Sequence, residues 1–365
     1  MTAEVLVVGG GPAGSSVATL LARAGREVVL VERDASASNK VCGEFLSADA
    51  AECLASLGVT PESLGAVPIE SVRLVCRERE CLTRLPFDAW GLPRRELDEA
   101  LLGQARAAGV RVLRGRQVEG LRAAGGAWSA RVRNAEPLRG KTAFLATGKH
   151  DLRGQRRPPG NQNDLVAVKR HVRLSWEQLR ELGRTVELYS FAGGYVGLQP
   201  VGRDCANLCL VVTKRRFASV KHDSNALLEA TSEETPLLRR RLASAEHLDP
   251  RPLALSNIPY GLVREQTSGP YLVGDQACVV PSFTGDGIAM ALQSGAFAAE
   301  TYLKGRSAAH FQRNWARRAQ GPVRLASLIS RGLVLPLTRE ALCVFAAGFP
   351  FLVRLVAQRT RVFRT

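Results

Sequence analysis

A glycine-rich turn between two short apolar runs constrains the fold of this chain more than any other feature of its sequence. Residues 4–8 form an apolar run of β character, and the next six residues have the spacing G-x-G-x-x-G. A helical pattern over residues 14–24 leads to a second apolar run that ends at Glu32. Strand, turn, helix, strand and acid, in that order, are typical of a dinucleotide-binding βαβ unit. An acid at that position can bond both hydroxyls of a ribose and disfavours a 2′-phosphate.

The residues of the turn have distinct physical roles. Gly9 permits the tight turn, Gly11 lets the backbone approach a pyrophosphate closely, and Gly14 lets the helix pack on the strand. Pro12 and Ala13 lie between the last two glycines, where the helix begins. The amino end of a helix presents unpaired N–H groups and a partial positive charge to phosphates. We therefore expect all five residues to take part in cofactor binding.

A second glycine-containing element, GDQACVVPSFTGDGIAMAL, lies far along the chain. Its strand ends at Asp275, whose carboxylate can bond a ribityl hydroxyl. A loop containing Pro281 leads to a helix start at Gly285, Gly287 and Ile288, where backbone can lie against an aromatic ring. The first amides of that helix can face an anionic centre such as the N1–C2=O edge of a reduced flavin. Together, the two elements predict one bound FAD.

Four segments of the chain resemble flavoproteins of the p-hydroxybenzoate hydroxylase fold. They are GGGPAGSSVA at the amino end, PRRELDEALL, a strand ending in ATG, and the GD…P…GDG element. The segment K-V-C-G-E over residues 40–44 is similar to the geranylgeranyl reductase and FixC-like branch, which also includes relatives of the flavin-dependent halogenases. The resemblance covers nearly the whole chain to about residue 305 and implies that FAD is the cofactor.

The resemblance also implies roles for individual residues. Arg94 stands four residues before Asp98, as in the family's R-x-x-x-D, and is expected near the FAD diphosphate. Arg33 is expected to border the adenine, and the backbone of Val118 to hold it. The other positions that the resemblance assigns to the cofactor are Lys40, Cys42, Gly43, Thr147 and Gly148.

Two residues are candidates for catalysis. Cys42 would be a thiol beside the flavin, although a cysteine in an apolar loop is more often an inert packing residue. Tyr195 begins Y-V-G-L-Q-P, which corresponds to the Y-x-W-x-F-P motif of the archaeal lipid reductases. Gly197 replaces the tryptophan of that motif, so a different or bulkier substrate is an alternative. His150 and His171 flank the predicted domain junction and are weaker acid or base candidates.

The resemblance and the strand patterns predict an α/β fold with three parts. A discontinuous, Rossmann-like FAD domain of the glutathione-reductase type covers residues 1–163 and 264–305. A mostly antiparallel substrate sheet, residues 164–263, is inserted into it and is joined by part of 67–93. A basic helical region follows over residues 306–365. Finer patterns predict strand-like alternation over residues 72–84 and one polar helical stretch over 224–243.

Three activities agree with these features. The first is reduction or dehydrogenation of a C=C bond in an apolar isoprenoid, lipid-like or polyketide-like substrate by hydride transfer at flavin N5. The second is oxygenation of an aromatic or polyketide substrate, and the third is electron transfer with a carrier protein. The chain lacks the halogenase motif W-x-W-x-I-P and a second G-x-G-x-x-G. The reductant is therefore expected to be transiently bound NAD(P)H, an external reductase or an electron carrier.

Charge and targeting signals suggest where the protein acts. The net charge is +16, and residues 301–365 contain twelve Lys/Arg residues and one acid. Residues 322–365 alternate apolar residues and arginines at helical spacing, which predicts either a helix pair at an anionic membrane surface or a hairpin packed on the core. Nucleic-acid binding is disfavoured because no motif supports it. We expect a cytoplasmic monomer or homodimer with reduced cysteines and no metal, peripheral on the inner membrane surface if the helix pair is interfacial.

Overall fold

A computed structural model of the protein describes residues 2–267 and 269–362. In chain order the strands are β1 (Thr2–Val8), β2 (Val28–Val31), β3 (Phe45–Ser47), β4 (Val67–Cys76), β5 (Arg79–Gly91), β6 (Arg111–Leu113), β7 (Val118–Ala124), β8 (Ala127–Val132), β9 (Leu138–Leu145), β10 (Leu165–Arg173), β11 (Thr185–Phe191), β12 (Gly194–Pro200), β13 (Cys205–Thr213), β14 (Glu246–His247), β15 (Leu253–Ser256), β16 (Leu262–Val263), β17 (Tyr271–Leu272) and β18 (Cys278–Val279). The α-helices are α1 (Pro12–Arg23), α2 (Ala48–Ser56), α3 (Arg94–Ala107), α4 (Trp176–Leu182), α5 (Lys214–Ser219), α6 (Ser224–Glu234), α7 (Pro236–Leu242), α8 (Gly287–Leu303), α9 (Ala308–Val334), α10 (Pro336–Gly348) and α11 (Pro350–Arg359).

The first sheet has the strand order β6-β2-β1-β9-β8-β7, with β17 paired to β9. Its central pairs are parallel, so that Val7 lies opposite Leu30 on one side and Phe144 on the other. Every residue of β2 is buried, which is typical of a parallel strand covered on both faces. Helix α1 packs against α3 and α8, and this sheet with its helices carries the glycine-rich turn.

The second sheet has the order β14-β10-β13-β12-β11-β4-β5-β3, with β15 paired to β10. All pairs are antiparallel except β11 with β4. The strands of its centre place one apolar face against α4, α6 and α7, where Leu182, Leu227 and Leu238 are fully buried. The predicted α/β class with a mostly antiparallel second sheet is confirmed.

Two sequence expectations differ in detail from the structure. The stretch 72–84, predicted as one strand-like segment, contains the turn of a hairpin and the adjoining parts of two strands. Arg77, with a φ of 56°, lies in that turn between β4 and β5. The predicted helix over 224–243 is two helices, α6 and α7. Pro236 begins the second one, and proline cannot donate the amide that a continuous helix would require.

The carboxy-terminal helices extend from the first sheet to the second. Phe311 and Trp315 of α9 are buried in the core of the first sheet, whereas α10 and α11 lie across β4 and β5. Within the described chain, no single helix has the length and apolar character needed to cross a membrane. The pair Thr338–Gly348 and Pro350–Arg359, bent by 108°, reaches that threshold only when the two segments are taken together.

Candidate functional site

A cavity of about 1180 Å³ is lined by both sheets and by the carboxy-terminal helices. It collects most residues that the sequence assigned to cofactor binding or catalysis. Those lining it are Gly9, Gly11, Pro12, Ala13, Glu32, Arg33, Lys40, Cys42, Gly43, Arg94, Val118, Thr147, Gly148, Tyr195, Asp275, Gly285, Gly287 and Ile288. Gly14 and Pro281 are not among its lining residues.

Of the three glycines of the G-x-G-x-x-G motif, Gly9 and Gly14 are closely packed and Gly11 borders open space. A Cβ on Gly9 would lie 2.3 Å from the carbonyl oxygen of Ala146, and one on Gly14 would lie 1.9 Å from the carbonyl oxygen of Gly9. Gly9 also has a φ of 108°, which disfavours any side chain. At Gly11 the nearest atom to such a Cβ is Nη2 of Arg94, 3.6 Å away. The open space for a pyrophosphate is therefore at Gly11, and Gly14 serves helix packing.

A carboxylate and a guanidinium lie on either side of this turn. Glu32, directly after β2, accepts hydrogen bonds from the amides of Gly10 at 2.7 Å and Asp34 at 2.9 Å. Arg94 is the first residue of α3, and its guanidinium donates two hydrogen bonds of 3.0 Å to Asp98. Helix α1 begins at the turn with no side-chain cap, so its first amides are available to an anion. This arrangement fits the ribose and diphosphate of a dinucleotide.

The loop after β2 is held by a compact ion-pair cluster. Asp34 accepts hydrogen bonds from Lys40, from Ser38 and from Nε of Arg33 at 3.1 Å. Burial alone would raise the pKa of Asp34, but the hydrogen bond and charge of Lys40 hold that pKa well below its usual range. Lys40 is therefore paired with the carboxylate of Asp34 at the cavity wall. The contact with the cofactor that the sequence assigns to Lys40 stays a prediction.

The second glycine-containing element lies opposite the turn. At Gly285, φ is 73° and a Cβ would lie 2.6 Å from the ring of Phe45, so only glycine fits there. Helix α8 begins two residues later at Gly287 with no side-chain cap. Asp275 is half-buried and lines the cavity, where its carboxylate can accept a hydrogen bond from a hydroxyl group. These features fit the riboflavin half of FAD.

The ends of two further strands complete this half of the cavity. Thr147 and Gly148 follow β9, and Nε2 of Gln276 donates a 2.9 Å hydrogen bond to the carbonyl of Gly148. Val118 is the first residue of β7. Both positions border the cavity, whereas the predicted adenine contact of Val118 stays a prediction.

Side chains of the second sheet hold the segment 42–44, which the sequence placed beside the flavin. Nδ2 of Asn207 donates hydrogen bonds to the carbonyls of Cys42 at 3.0 Å and Gly43 at 2.7 Å. Nε2 of Gln199 donates one of 2.9 Å to the carbonyl of Glu44. Sequence reasoning did not identify Asn207, although a polar residue inside the apolar run of β13 was the available signal.

The far end of the cavity is apolar. The lining residues that belong to β4, β5, β11, β12, β13, β15 and the last three helices include no charged side chain within the described chain. Tyr195 lies there, fully buried, with its ring edge-on to Phe283 and its hydroxyl close to the hydroxyl of Tyr260 and the backbone of Phe283. Burial raises the pKa of Tyr195 well above its usual value, so the phenol keeps its proton.

Helices α9, α10 and α11 close this apolar end. Leu342, Ala346, Leu352 and Val356 line the cavity. The outer side of the same helices is also apolar, since Phe349 and Phe351 are 49% and 60% exposed. The tail therefore packs on the protein, which was one of the two alternatives predicted from the sequence. It also presents an apolar outer face. The last three residues, 363–365, lie outside the described chain.

Comparisons with known proteins agree with this site. Residues 2–143 match the FAD binding domain family. The menaquinone reductase of Mycobacterium tuberculosis is 26% identical over 317 residues, which are 82% of this chain and 76% of the relative. Digeranylgeranylglycerophospholipid reductase 2 of Methanosphaera stadtmanae is 26% identical over 81% of this chain and 76% of its own. The structure of the flavin-dependent brominase Bmp2 superposes with a TM-score of 0.82 at 18% identity, covering 99% of this chain and 93% of the brominase.

Proposed function

We propose that this flavin-dependent oxidoreductase reduces a carbon–carbon double bond of an isoprenoid-like substrate. The premise is that the chain has the p-hydroxybenzoate hydroxylase fold, an FAD-binding domain and relatives among the geranylgeranyl reductases. The observation that carries the proposal is the uncharged far end of the cavity, which is continuous with the cofactor half. An apolar chain would lose little on leaving water and gain from burial there. The reductase names of the two relatives support the same class of substrate.

The protein's own part in such a reduction is to orient the substrate, exclude water and supply a proton. When bound, reduced FAD supplies a hydride equivalent. The proton has a candidate source in Tyr195, because its hydroxyl lies in the cavity wall and is protonated. The last three helices cover the apolar end and so keep bulk water from the reacting carbon atoms.

Anaerobic turnover tests this proposal. The holoprotein, reduced with dithionite, is mixed with geranylgeraniol, and the gain of two hydrogen atoms per double bond is followed by mass spectrometry. Tyr195→Phe should slow product formation about 100-fold, the usual range for loss of a general acid, without loss of FAD. Tyr302→Phe removes a hydroxyl bonded to Glu4, away from the cavity, and is the matched control. No anaerobic product, together with an oxygenated product in air, would overturn the proposal in favour of a monooxygenase.

The electron donor is part of the same proposal. The described chain offers one dinucleotide site and no second glycine-rich turn of that type, so we propose that the flavin is reduced by a transiently bound nicotinamide. Stopped-flow bleaching of the flavin by NADPH and by NADH measures this step directly. Reduction by dithionite but by neither nicotinamide would assign the step to a separate reductase or carrier protein.

The outer face of α10 and α11 supports delivery of the substrate from a membrane. Phe349 and Phe351 are exposed, and so are Arg354 and Arg359 of α11, the combination expected of a helix at an anionic headgroup layer. The double variant Phe349→Ser/Phe351→Ser should reduce co-sedimentation with phosphatidylglycerol vesicles several-fold. Trp176→Ser, which removes a 74% exposed aromatic elsewhere, should not. Equal binding of all three proteins would remove the membrane from the proposal.

A further inference from the structure

A buried group of charges lies directly behind the segment that faces the cavity at residues 41–45. Glu44 is completely buried and belongs to that segment. One oxygen of its carboxylate accepts hydrogen bonds from Nζ of Lys169 and, at 2.8 Å, from the amide of Arg94. The other accepts from Nε2 of His171 at 2.6 Å. The carboxylate thus joins the segment to β10 of the second sheet and to the start of α3.

The backbone of Glu44 is in a conformation that side chains rarely adopt. Its φ is 59°, in the left-handed region, which is unfavourable for a residue other than glycine. In this conformation the Glu44 amide donates a 3.3 Å hydrogen bond to Sγ of Cys42. Because the chain has glutamate rather than glycine here, the interactions of its side chain must offset the strain.

The buried carboxylate of Glu44 is paired with the buried ammonium group of Lys169. Burial alone would raise the pKa of Glu44, but the hydrogen bond from His171 and the charge of Lys169 lower it below its usual value, so the carboxylate is ionised. Lys169 is itself fully buried. His171 is further positioned by Asp249, which accepts a 2.7 Å hydrogen bond from its backbone amide. An ionised carboxylate with three donors is a rigid anchor.

We infer that Glu44 is a positioning residue for the cofactor, and that its bonds to Lys169, His171 and Arg94 fix the Cys42–Gly43 backbone at the cavity wall. The same carboxylate couples that wall to α3, whose first residue places its guanidinium beside the glycine-rich turn. A displacement of β10 in the second sheet would therefore move groups in both halves of the FAD site. The inference concerns FAD binding alone and stands whichever substrate the cavity accepts.

The double variant Glu44→Gln/Lys169→Met tests this role, because it removes both buried charges together and leaves neither unpaired. Two quantities are measured: the Kd of FAD for the apoprotein, and the rate at which iodoacetamide alkylates Cys42, read from the peptide by mass spectrometry. We expect the Kd to rise about tenfold and Cys42 to react several times faster in the absence of FAD. The second readout does not depend on the loaded enzyme.

The matched control is Glu187→Gln/Arg241→Met. This pair is equally buried and makes two hydrogen bonds, of 3.1 and 3.0 Å, but neither residue contacts the 41–45 segment. It should lower the melting temperature and change neither FAD affinity nor Cys42 reactivity. A folded Glu44→Gln/Lys169→Met protein with wild-type Kd and wild-type alkylation would overturn the inference. If that variant does not fold, Glu44→Asp, which withdraws the carboxylate by one methylene from His171, is judged by the same two outcomes.

Discussion

Arg361, near the carboxyl end, forms an ion pair with Asp49 of α2, with Nη1 2.5 Å from the carboxylate. The guanidinium also lies 3.4 Å from the ring centre of Phe87 and 4.0 Å from the carboxylate of Asp286. Both carboxylates are buried. One arginine therefore attaches the end of the tail to the helix that follows the 41–45 segment, to the second sheet and to the start of α8.

Replacing Arg361 should loosen the helices that cover the apolar end of the cavity. Arg361→Met leaves two buried carboxylates without their cation, and the loss of one partner of a buried pair costs about 3–5 kcal/mol. Urea unfolding should show a loss of that order, and limited proteolysis should cut α10 or α11 first. Arg359→Met, at an exposed position at the end of α11, is the control and should behave as wild type. A wild-type proteolysis pattern for Arg361→Met would show that other contacts hold the tail.

Gly11 gives a direct test of the pyrophosphate position. The purified protein should be yellow, with the absorbance bands of bound flavin. A side chain at Gly11 has space within the protein itself but would occupy the place of the phosphates, so Gly11→Val should fold and lose FAD. Gly103→Val, at a helical glycine with no atom within 4 Å of its Cβ position, should retain it. Unchanged FAD retention in Gly11→Val would move the pyrophosphate elsewhere.

Asp286 should make stability depend on pH. Burial raises its pKa from the usual 3.8 to about 6, with Arg361 offsetting part of the rise. For an acid whose pKa is raised on folding, the stability it contributes is present below the unfolded pKa and is lost as pH rises through the folded one. Asp286→Asn should therefore be the more stable protein above pH 6, by at most about 3 kcal/mol at roughly 1.4 kcal/mol per pKa unit. Melting curves between pH 4 and pH 8 measure this, and parallel curves for both proteins would contradict it.

Two thiols that are distant in sequence should titrate as a pair. Cys76, at the end of β4, and Cys343, in α10, lie close to each other and to Arg339. The neighbouring thiol of Cys343, with the charges of Arg339 and Arg77, lowers the pKa of Cys76 below its usual range despite burial. Thiolate absorbance at 240 nm should rise with a midpoint below the usual range of a cysteine thiol. The step should vanish in Cys76→Ser and move to higher pH in Cys343→Ala, whereas an unmoved midpoint in the latter would exclude the pairing.

Much of the cofactor half was predictable because its signals are local. The turn from Gly9 to Gly14 and the acid at Glu32 depend on backbone sterics and strand ends within one βαβ unit, and such constraints leave a pattern in a short stretch of sequence. The element at Gly285 and Gly287 is recognisable for the same reason, since a close ring and an open helix start both require glycine.

The substrate half and the anchoring of the cofactor segment were not predictable in this way. Lys169 and His171 of β10 meet Glu44 across more than a hundred residues, and Arg361 meets Asp49 across more than three hundred. A buried ion pair leaves no periodic pattern, because each charge in isolation is indistinguishable from a surface residue until its partner is known. The sequence by itself determined the dinucleotide unit, the class of cofactor and the presence of apolar helices in the tail. Only the tertiary structure decided that those helices cover the uncharged end of the cavity and that the second sheet holds the segment beside it. Both depend on long-range contacts between groups whose burial is set by the whole fold.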